Sequence, residues 1–286
     1  MVVTGKTSVL GIIGWPVEHS LSPLMQNAAL EELGLDYVYV PFAVRQDALG
    51  VAVEGLRGLG VRGFNVTIPH KTAIIPHLDR LNPEALLIGA VNTVKREGDE
   101  LVGYNTDGAG FVRSLREDLD VDPKGMTILV LGAGGAARAA MVSLCQAGAA
   151  RIIVANRNVE RGVALADEFC PIFAGTQIAA IPLGSIHLAT EIQNIDLLVN
   201  TTSVGMGGSS FEGLDLARLK TGACVYDMVY APWETPLLME ASRRGIRCAN
   251  GIGMLVGQGE CAFAIWTDKN PPSGAMRRRI LAAVGR

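Results

Sequence analysis

Histidine and cysteine are scarce, at 4 and 5 in 286 residues. The cysteines, Cys145, Cys170, Cys224, Cys248 and Cys261, are scattered and odd in number, and no two form a CxxC pair. That spacing excludes a zinc site of the usual kind and a disulfide framework, so no metal is expected. Four of the thiols sit in apolar strand or helix patterns, which suits buried free cysteines in a reducing cytosol. An excess of charge is lacking too: 25 Lys and Arg against 28 Asp and Glu leave −3, which argues against a nucleic-acid partner. The basic run Arg277-Arg278-Arg279 is expected on the exposed side of a terminal helix. No apolar stretch is long and glycine-free enough to span a membrane. MVVTGKTSVLGIIG lacks the layout of a secretory signal, and a cytoplasmic location is expected. Neither an internal repeat nor a low-complexity segment is present.

What the chain does have is apolar residues, 49% of the total, and enough length for two domains. Residues 127–148, TILVLGAGGAARAAMVSLCQAG, organise the rest. Ile128 to Leu131 form a short apolar run. Gly132, Ala133, Gly134, Gly135, Ala136 and Ala137 follow at once. Ala137, Ala140, Met141 and Leu144 then recur at helical spacing, and Gly148 stands where a helix would stop. The reading is strand, glycine turn, helix, with the GxGxxA pattern of a dinucleotide-binding turn. Gly132 permits the tight turn, Gly134 leaves room for a pyrophosphate, and Ala137 is small enough to pack on the strand. The helix N-terminus would face the anion.

Residues 151–155, RIIVA, read as the next strand, completing a βαβ unit. An enzyme selecting NAD carries a carboxylate near this strand end, about 20 residues past the first glycine. Here the strand ends in Asn156-Arg157-Asn158. Arg157 offers a planar fork for a ribose 2′-phosphate, and Arg161 lies one turn on. Asn158 also suits a helix cap.

Elsewhere strands and helices alternate, so the first domain is also expected to be α/β. Strands are predicted at residues 8–14, 37–44 and 61–67, with a hairpin about Gly98-Asp99. Ser22 before Pro23 predicts a capped helix start. Residues 47–59 predict a helix, and a short one is expected from Lys71 to Pro76. Asn105-Thr106-Asp107-Gly108 starts a helix with Phe111, Leu115 and Leu119 on one face. Later strands are predicted near 196–200 and 223–228, a helix from Thr235-Pro236, and two terminal helices near 254–266 and 274–284. No strand follows these, so they are expected to return to the first domain. The domain boundaries predicted are 1–108 plus 253–286, and 109–252.

Several polar residues stand in positions that suit chemistry. Lys71, after a strand and at an expected helix start, opposes a helix dipole. From placement alone a solvated lysine is the plainer reading. Thr106 or Asp107 suits a helix cap, as does Ser22. A helix start bearing Ser20 and Ser22 is equally a seat for a carboxylate. Asn65, Thr67 and Asn92 lie at strand ends and need partners, whether protein or sugar-like hydroxyls. Gln258 shares a face with Met254, Cys261, Ala262 and Ile265.

Taken in order, the motifs are HSLSP (19–23), NVTIPHK (65–71), AVNT (90–93), NTDG (105–108), GAGGAA (132–137), NR (156–157), NTTSVGM (200–206), YDMVY (226–230) and GIGMLVGQ (251–258). This series resembles the shikimate dehydrogenase family, across nearly the whole chain. The resemblance implies an N-terminal α/β substrate domain and a Rossmann-like, doubly wound NADP-binding domain. It implies reversible NADPH-dependent reduction of 3-dehydroshikimate to shikimate, a step towards chorismate and the aromatic amino acids. Ser20 and Ser22 match residues that hold the substrate carboxylate. Asn65, Thr67, Asn92 and Gln258 match residues that bind ring hydroxyls, and Lys71 and Asp107 match the catalytic pair. Tyr230 matches a tyrosine near the substrate. The cofactor contacts fall on the Gly132 to Ala137 turn, Asn156, Arg157, Asn158, Arg161, Thr201, Met228 and Gly251. The family often has threonine where Asn158 stands. A monomer or homodimer with a small-molecule substrate is expected. Quinate/shikimate dehydrogenase with NAD or dual cofactor use is the alternative. A non-catalytic nucleotide-sensing regulator is a more distant one.

Overall fold

The computed structural model describes residues 2–184 and 190–286. The chain divides into two compact units: residues up to Gly110 with Leu255–Arg286, and Phe111–Met254.

The first unit is built on β1 (Ser8–Gly14), β2 (Tyr37–Ala43), β3 (Gly63–Val66), β4 (Arg80–Leu81), β5 (Thr93–Glu97) and β6 (Glu100–Tyr104). Their order in the sheet is β2-β1-β3-β5-β6-β4. β1 runs parallel to both β2 and β3, which requires crossovers, and α1 (Ser22–Glu32) and α2 (Leu49–Gly58) supply them. β3–β5 and β5–β6 are antiparallel. The β5–β6 turn is the expected hairpin, with Gly98 at φ +64°. Ile13, Phe64, Val66 and Val94 are buried in one core with Val53 and Leu56 of α2. Asn82 caps α3 (Pro83–Ile88) by accepting from the Ala85 N–H, and Gly89 ends it in the left-handed region.

The C-terminal helices belong to this unit, as expected. The Trp266 indole N–H donates to the Val94 carbonyl at 2.9 Å, and Gln26 Nε2 to the Gly259 carbonyl at 2.9 Å. Gly63 lies directly under the Trp266 ring, where any side chain would collide. In the last helix, Met276 and Ile280 are buried while Arg278 and Arg279 are exposed.

The second unit holds β7 (Thr127–Leu131), β8 (Arg151–Asn156), β9 (Gln177–Pro182), β10 (Leu197–Asn200), β11 (Cys224–Asp227) and β12 (Arg247–Asn250). All are parallel, in the order β12-β11-β10-β7-β8-β9. Numbered from β7, this is the doubly wound 3-2-1-4-5-6 order, whose switch point lies beside the first strand. α5 (Gly135–Gln146), α6 (Val159–Phe169) and α7 (Pro236–Arg243) connect the strands. Thr235 caps α7, as its place before Pro236 predicts. α4 (Asp107–Leu119) and α8 (Ile252–Thr267) each contain a border between the units; α9 (Ala275–Ala283) follows.

Some local expectations are corrected. Residues 68–74 are irregular turns, followed by a single 3₁₀ turn at Ile75–His77, so Lys71 opposes no helix dipole. Pro69 and Pro76 lack N–H groups and bias the residue before each away from the helical region. Ser22 is the first residue of α1, not its cap; Leu21 occupies that position. The Ser20 hydroxyl takes the Ser22 N–H instead, at 3.3 Å, because a serine side chain reaches the backbone two residues on. The helix expected at 47–59 is split into a 3₁₀ turn, Gln46–Ala48, and α2. β4, β9 and β12 are further strands, all at sheet edges and with little apolar alternation. Only Cys145 and Cys224 are buried; Cys170 is exposed, and none of the five is in a disulfide.

Candidate active site

In the first unit, two chain segments bring Lys71 and Asp107 together. The Lys71 carbonyl takes the Val91 N–H at 2.7 Å, tying the turn after β3 to the approach to β5. Asn105 Nδ2 donates to the Ala90 carbonyl, and Asn105 Oδ1 accepts the Asp107 N–H at 3.0 Å. Asp107 therefore starts α4 with its carboxylate free of capping work. Lys71 Nζ donates to Asp107 Oδ2 at 2.6 Å. The carboxylate is 5% exposed and the lysine side chain 19%, so the pair is largely desolvated. A charge taken that far out of water needs both a counter-charge and hydrogen bonds.

Asn92 provides those bonds. Its Nδ2 donates to Asp107 Oδ1 at 2.8 Å and to Thr106 Oγ1 at 2.9 Å. An amide has two N–H groups, so the 3.3 Å approach of the same nitrogen to Gln258 Oε1 is the weakest contact. Asn92 Oδ1 accepts the Thr106 N–H at 2.8 Å and the Thr93 hydroxyl at 3.0 Å. Thr106 Oγ1 also donates to the Gln258 carbonyl at 3.0 Å, fixing α8 beside the pair. Gln258 Nε2 donates to the Leu255 carbonyl.

The network continues beneath the sheet's end. Asn65 Nδ2 donates to the Asn92 carbonyl and to Thr93 Oγ1, both at 3.0 Å, and Asn65 Oδ1 accepts from the Tyr39 hydroxyl at 2.7 Å. Burial pushes the Tyr39 phenol well above its ordinary range, with a hydrogen bond to Ser22 opposing. The expected residues Ser22, Asn65, Asn92, Asp107, Lys71 and Gln258 are thus joined in one set. Ser20 touches it through Ser22. Thr67 is half-buried at the end of β3; its methyl lies against Gly14, and its carbonyl accepts the His70 N–H. Tyr230 lies in the second unit, where burial raises its phenol. Tyr39 and Thr93 were missed. The signal for Tyr39 was its hydroxyl in an apolar strand, because a buried phenol needs a partner.

In the second unit, β7 runs out into Gly132, the residue after its last, whose φ of +111° favours glycine. A Cβ there would come within 2.7 Å of Thr201 Oγ1 and of the Thr202 methyl. Thr201 Oγ1 itself donates to the Leu131 carbonyl at 2.7 Å, pinning the turn after β10 to the end of β7. Over Gly134 a Cβ would meet nothing within 4 Å, so the backbone is open to a ligand. Gly134 brings no side-chain cap to α5, whose first N–H groups remain available to an anion. Ala137 is fully buried against the strand; Ala133, Gly135 and Ala136 are half-buried.

At the end of β8, Asn156 Nδ2 donates to the Asn158 carbonyl at 2.7 Å. Asn158 caps α6, accepting the Arg161 N–H at 3.3 Å. Arg157 and Arg161 are exposed beside this cap. The strand end 156–158 itself carries no carboxylate, so its donor set fits a 2′-phosphate better than a bare ribose. The Met228 N–H donates to the Asn200 carbonyl, and a side chain on Gly251 would collide with the Met228 carbonyl oxygen.

Comparison with known proteins gives a consistent result. Family models match three parts of the chain: the shikimate dehydrogenase substrate binding domain at residues 12–94, shikimate / quinate 5-dehydrogenase at 115–206, and the shikimate 5'-dehydrogenase C-terminal domain at 251–281. A shikimate dehydrogenase (NADP(+)) of Geobacter metallireducens is 70% identical over 286 residues, covering 100% of both chains. The crystal structure of a shikimate dehydrogenase in complex with NADP+ superposes with TM-score 0.90 at 39% identity, covering 100% of this chain and 98% of that one. A Thermus thermophilus shikimate 5-dehydrogenase in complex with NADP(H) and shikimate gives 0.85 at 38% identity, over 97% and 100%.

Proposed function

This chain belongs to the shikimate dehydrogenase family, and we propose that it catalyses the reversible NADPH-dependent reduction of 3-dehydroshikimate to shikimate. One observation carries the reading: a desolvated ammonium–carboxylate pair, Lys71–Asp107 at 2.6 Å, with Asn92 bonded to the second oxygen. A nucleotide sensor has no use for such a pair.

NADPH, when bound, supplies the hydride to the carbonyl carbon. The protein's own residues do the rest. Lys71 faces the carbonyl oxygen as it gains charge, stabilises it, and gives it a proton from Nζ. An ammonium has three N–H groups and Asp107 takes one, which leaves donors for the substrate. Asp107 holds Lys71 in place. In the reverse direction Lys71 Nζ takes back the hydroxyl proton.

The first unit serves as the substrate-binding catalytic domain. Ser20 and Ser22 hold the carboxylate at the start of α1. Asn65, Thr67, Asn92, Asp107 and Gln258 hold the ring hydroxyls, and Tyr230 packs near the substrate. Asn65 has given both N–H groups to the protein, so its free Oδ1 lone pair accepts from a hydroxyl. The second unit serves as the NADP-binding domain. Gly132, Ala133, Gly134, Gly135, Ala136 and Ala137 receive the pyrophosphate, and Asn156, Arg157, Asn158 and Arg161 the 2′-phosphate. Thr201, Met228 and Gly251 line the remainder. The enzyme works in the cytoplasm as a monomer or homodimer. Among the described residues no helix is long and apolar enough to cross a membrane.

The test is a set of initial rates with shikimate and with quinate, each paired with NADP and with NAD. The proposal expects shikimate with NADP to be fastest. A preference for quinate, or for NAD, would replace it with the quinate/shikimate alternative.

A further inference from the structure

We propose that Asp227 is a positioning residue that sets the nicotinamide half of the dinucleotide site by holding two loops on one buried carboxylate. The proposal rests on the dinucleotide reading above.

Asp227 is the last residue of β11 and is fully buried. All three of its partners donate to it. Asn200 Nδ2, at 2.8 Å, and the Val229 N–H, at 3.0 Å, reach Oδ1; the Thr235 hydroxyl, at 2.6 Å, reaches Oδ2. Asn200 relays the hold. Its Nδ2 also donates to the Val204 carbonyl, while its Oδ1 accepts from the N–H and hydroxyl of Thr202, at 2.9 and 2.8 Å. The loop after β10, residues 201–205, and the loop after β11, residues 228–235, therefore depend on the same carboxylate.

Both loops leave the C-terminal ends of parallel strands, where ligands bind in a doubly wound sheet. The first carries Thr201, which is bonded to the end of β7 and abuts Gly132. The second carries Met228, whose carbonyl presses on Gly251. In this strand order, β7 to β9 form one mononucleotide-binding half and β10 to β12 the other. Arg157 assigns the adenosine side to the β7–β9 half, so the loops held by Asp227 serve the nicotinamide. A buried carboxylate is costly and serves poorly as mere filling. Here it has the donors to offset that cost, and every donor comes from or reaches a loop on the ligand side of the sheet.

The experiment compares dissociation constants for NADPH and for adenosine 2′,5′-bisphosphate, which fills the adenosine half alone. Asp227→Ala and Thr235→Val remove the hold. Thr235→Ser restores the hydroxyl. Asp227→Asn keeps one acceptor for Asn200 and Val229 while the Thr235 hydroxyl reverses. Thr235→Val is expected to weaken NADPH about tenfold, the scale of one charge-assisted hydrogen bond, and to leave the bisphosphate unchanged. Asp227→Ala weakens NADPH further, and Thr235→Ser and Asp227→Asn stay close to wild type. Equal weakening of both ligands, or of neither, overturns the proposal. If Asp227→Ala does not fold, the Thr235 pair decides alone. A wild-type protein that binds neither ligand would overturn the dinucleotide reading itself, and this proposal with it.

Discussion

Lys71 Nζ lies 2.6 Å from Asp107 Oδ2, across 36 positions of sequence, and Asn92 Nδ2 holds the other carboxylate oxygen at 2.8 Å. Both oxygens of Asp107 accept. An amide in its place would turn N–H groups towards one of two donors. Asp107→Asn is therefore expected to lower kcat/KM by about 10²–10⁴, the range of a positioned acid or base. NADPH affinity should not change. Steady-state rates with a parallel NADPH titration check both halves of that statement.

Arg157 is exposed beside the Asn158 cap, at a strand end, Asn156-Arg157-Asn158, that carries no carboxylate. Arg157→Ala should raise the KM for NADPH about tenfold or more, the loss of a hydrogen bond to a charged group. The KM for NADH should stay where it is. Equal loss with both cofactors would move the 2′-phosphate elsewhere.

The Tyr39 hydroxyl donates to Asn65 Oδ1 at 2.7 Å, and both residues are buried. Tyr39→Phe leaves that acceptor without its donor and should cost about 1–3 kcal/mol in urea unfolding. Shikimate affinity should suffer more than NADPH affinity. The phenol is raised in the fold, mainly by burial, so its contribution is complete below the unfolded value, about pH 10, and fades as pH rises through the folded one. The difference between variant and wild type should be flat across neutral pH.

Much of this was legible where the chemistry is local. The Gly132 to Ala137 turn, the hairpin at Gly98 and the Thr235 cap each follow from residues within a few positions of one another. At Lys71, helical signals suggested a helix start, but two prolines leave only turns, and the lysine owes its place to the Val91 N–H taken by its carbonyl. Asp107 shows a similar limit. As a sequence feature it suited a cap as well as a catalytic group; its real partners come from Lys71 and Asn92, 36 and 15 positions away. Asn65 was read as a candidate, but not the Tyr39 that orients it from 26 positions off. Asp227 stood inside a quoted motif, and nothing local announced that it joins two loops.

Asp79 accepts the Leu101 N–H at 2.6 Å and pairs with Arg57 at 2.8 Å. The backbone bond first, then the arginine, hold its carboxyl below the usual range. A lowered folded value stabilises above the unfolded one, about pH 4, and the benefit is lost as pH falls through the folded one. Asp79→Asn should thus lower stability near neutral pH and converge with wild type once the pH falls below the folded value. Urea unfolding at several pH values checks it; parallel curves would contradict the linkage.

The most direct measurement is the single-turnover rate of NADPH oxidation by Lys71→Ala on mixing with 3-dehydroshikimate. Loss of both charge stabilisation and proton donation should slow it by about 10³-fold or more, with affinities for shikimate and NADPH little changed. A variant that turns over at the wild-type rate would remove Lys71 from the chemistry and contradict the account.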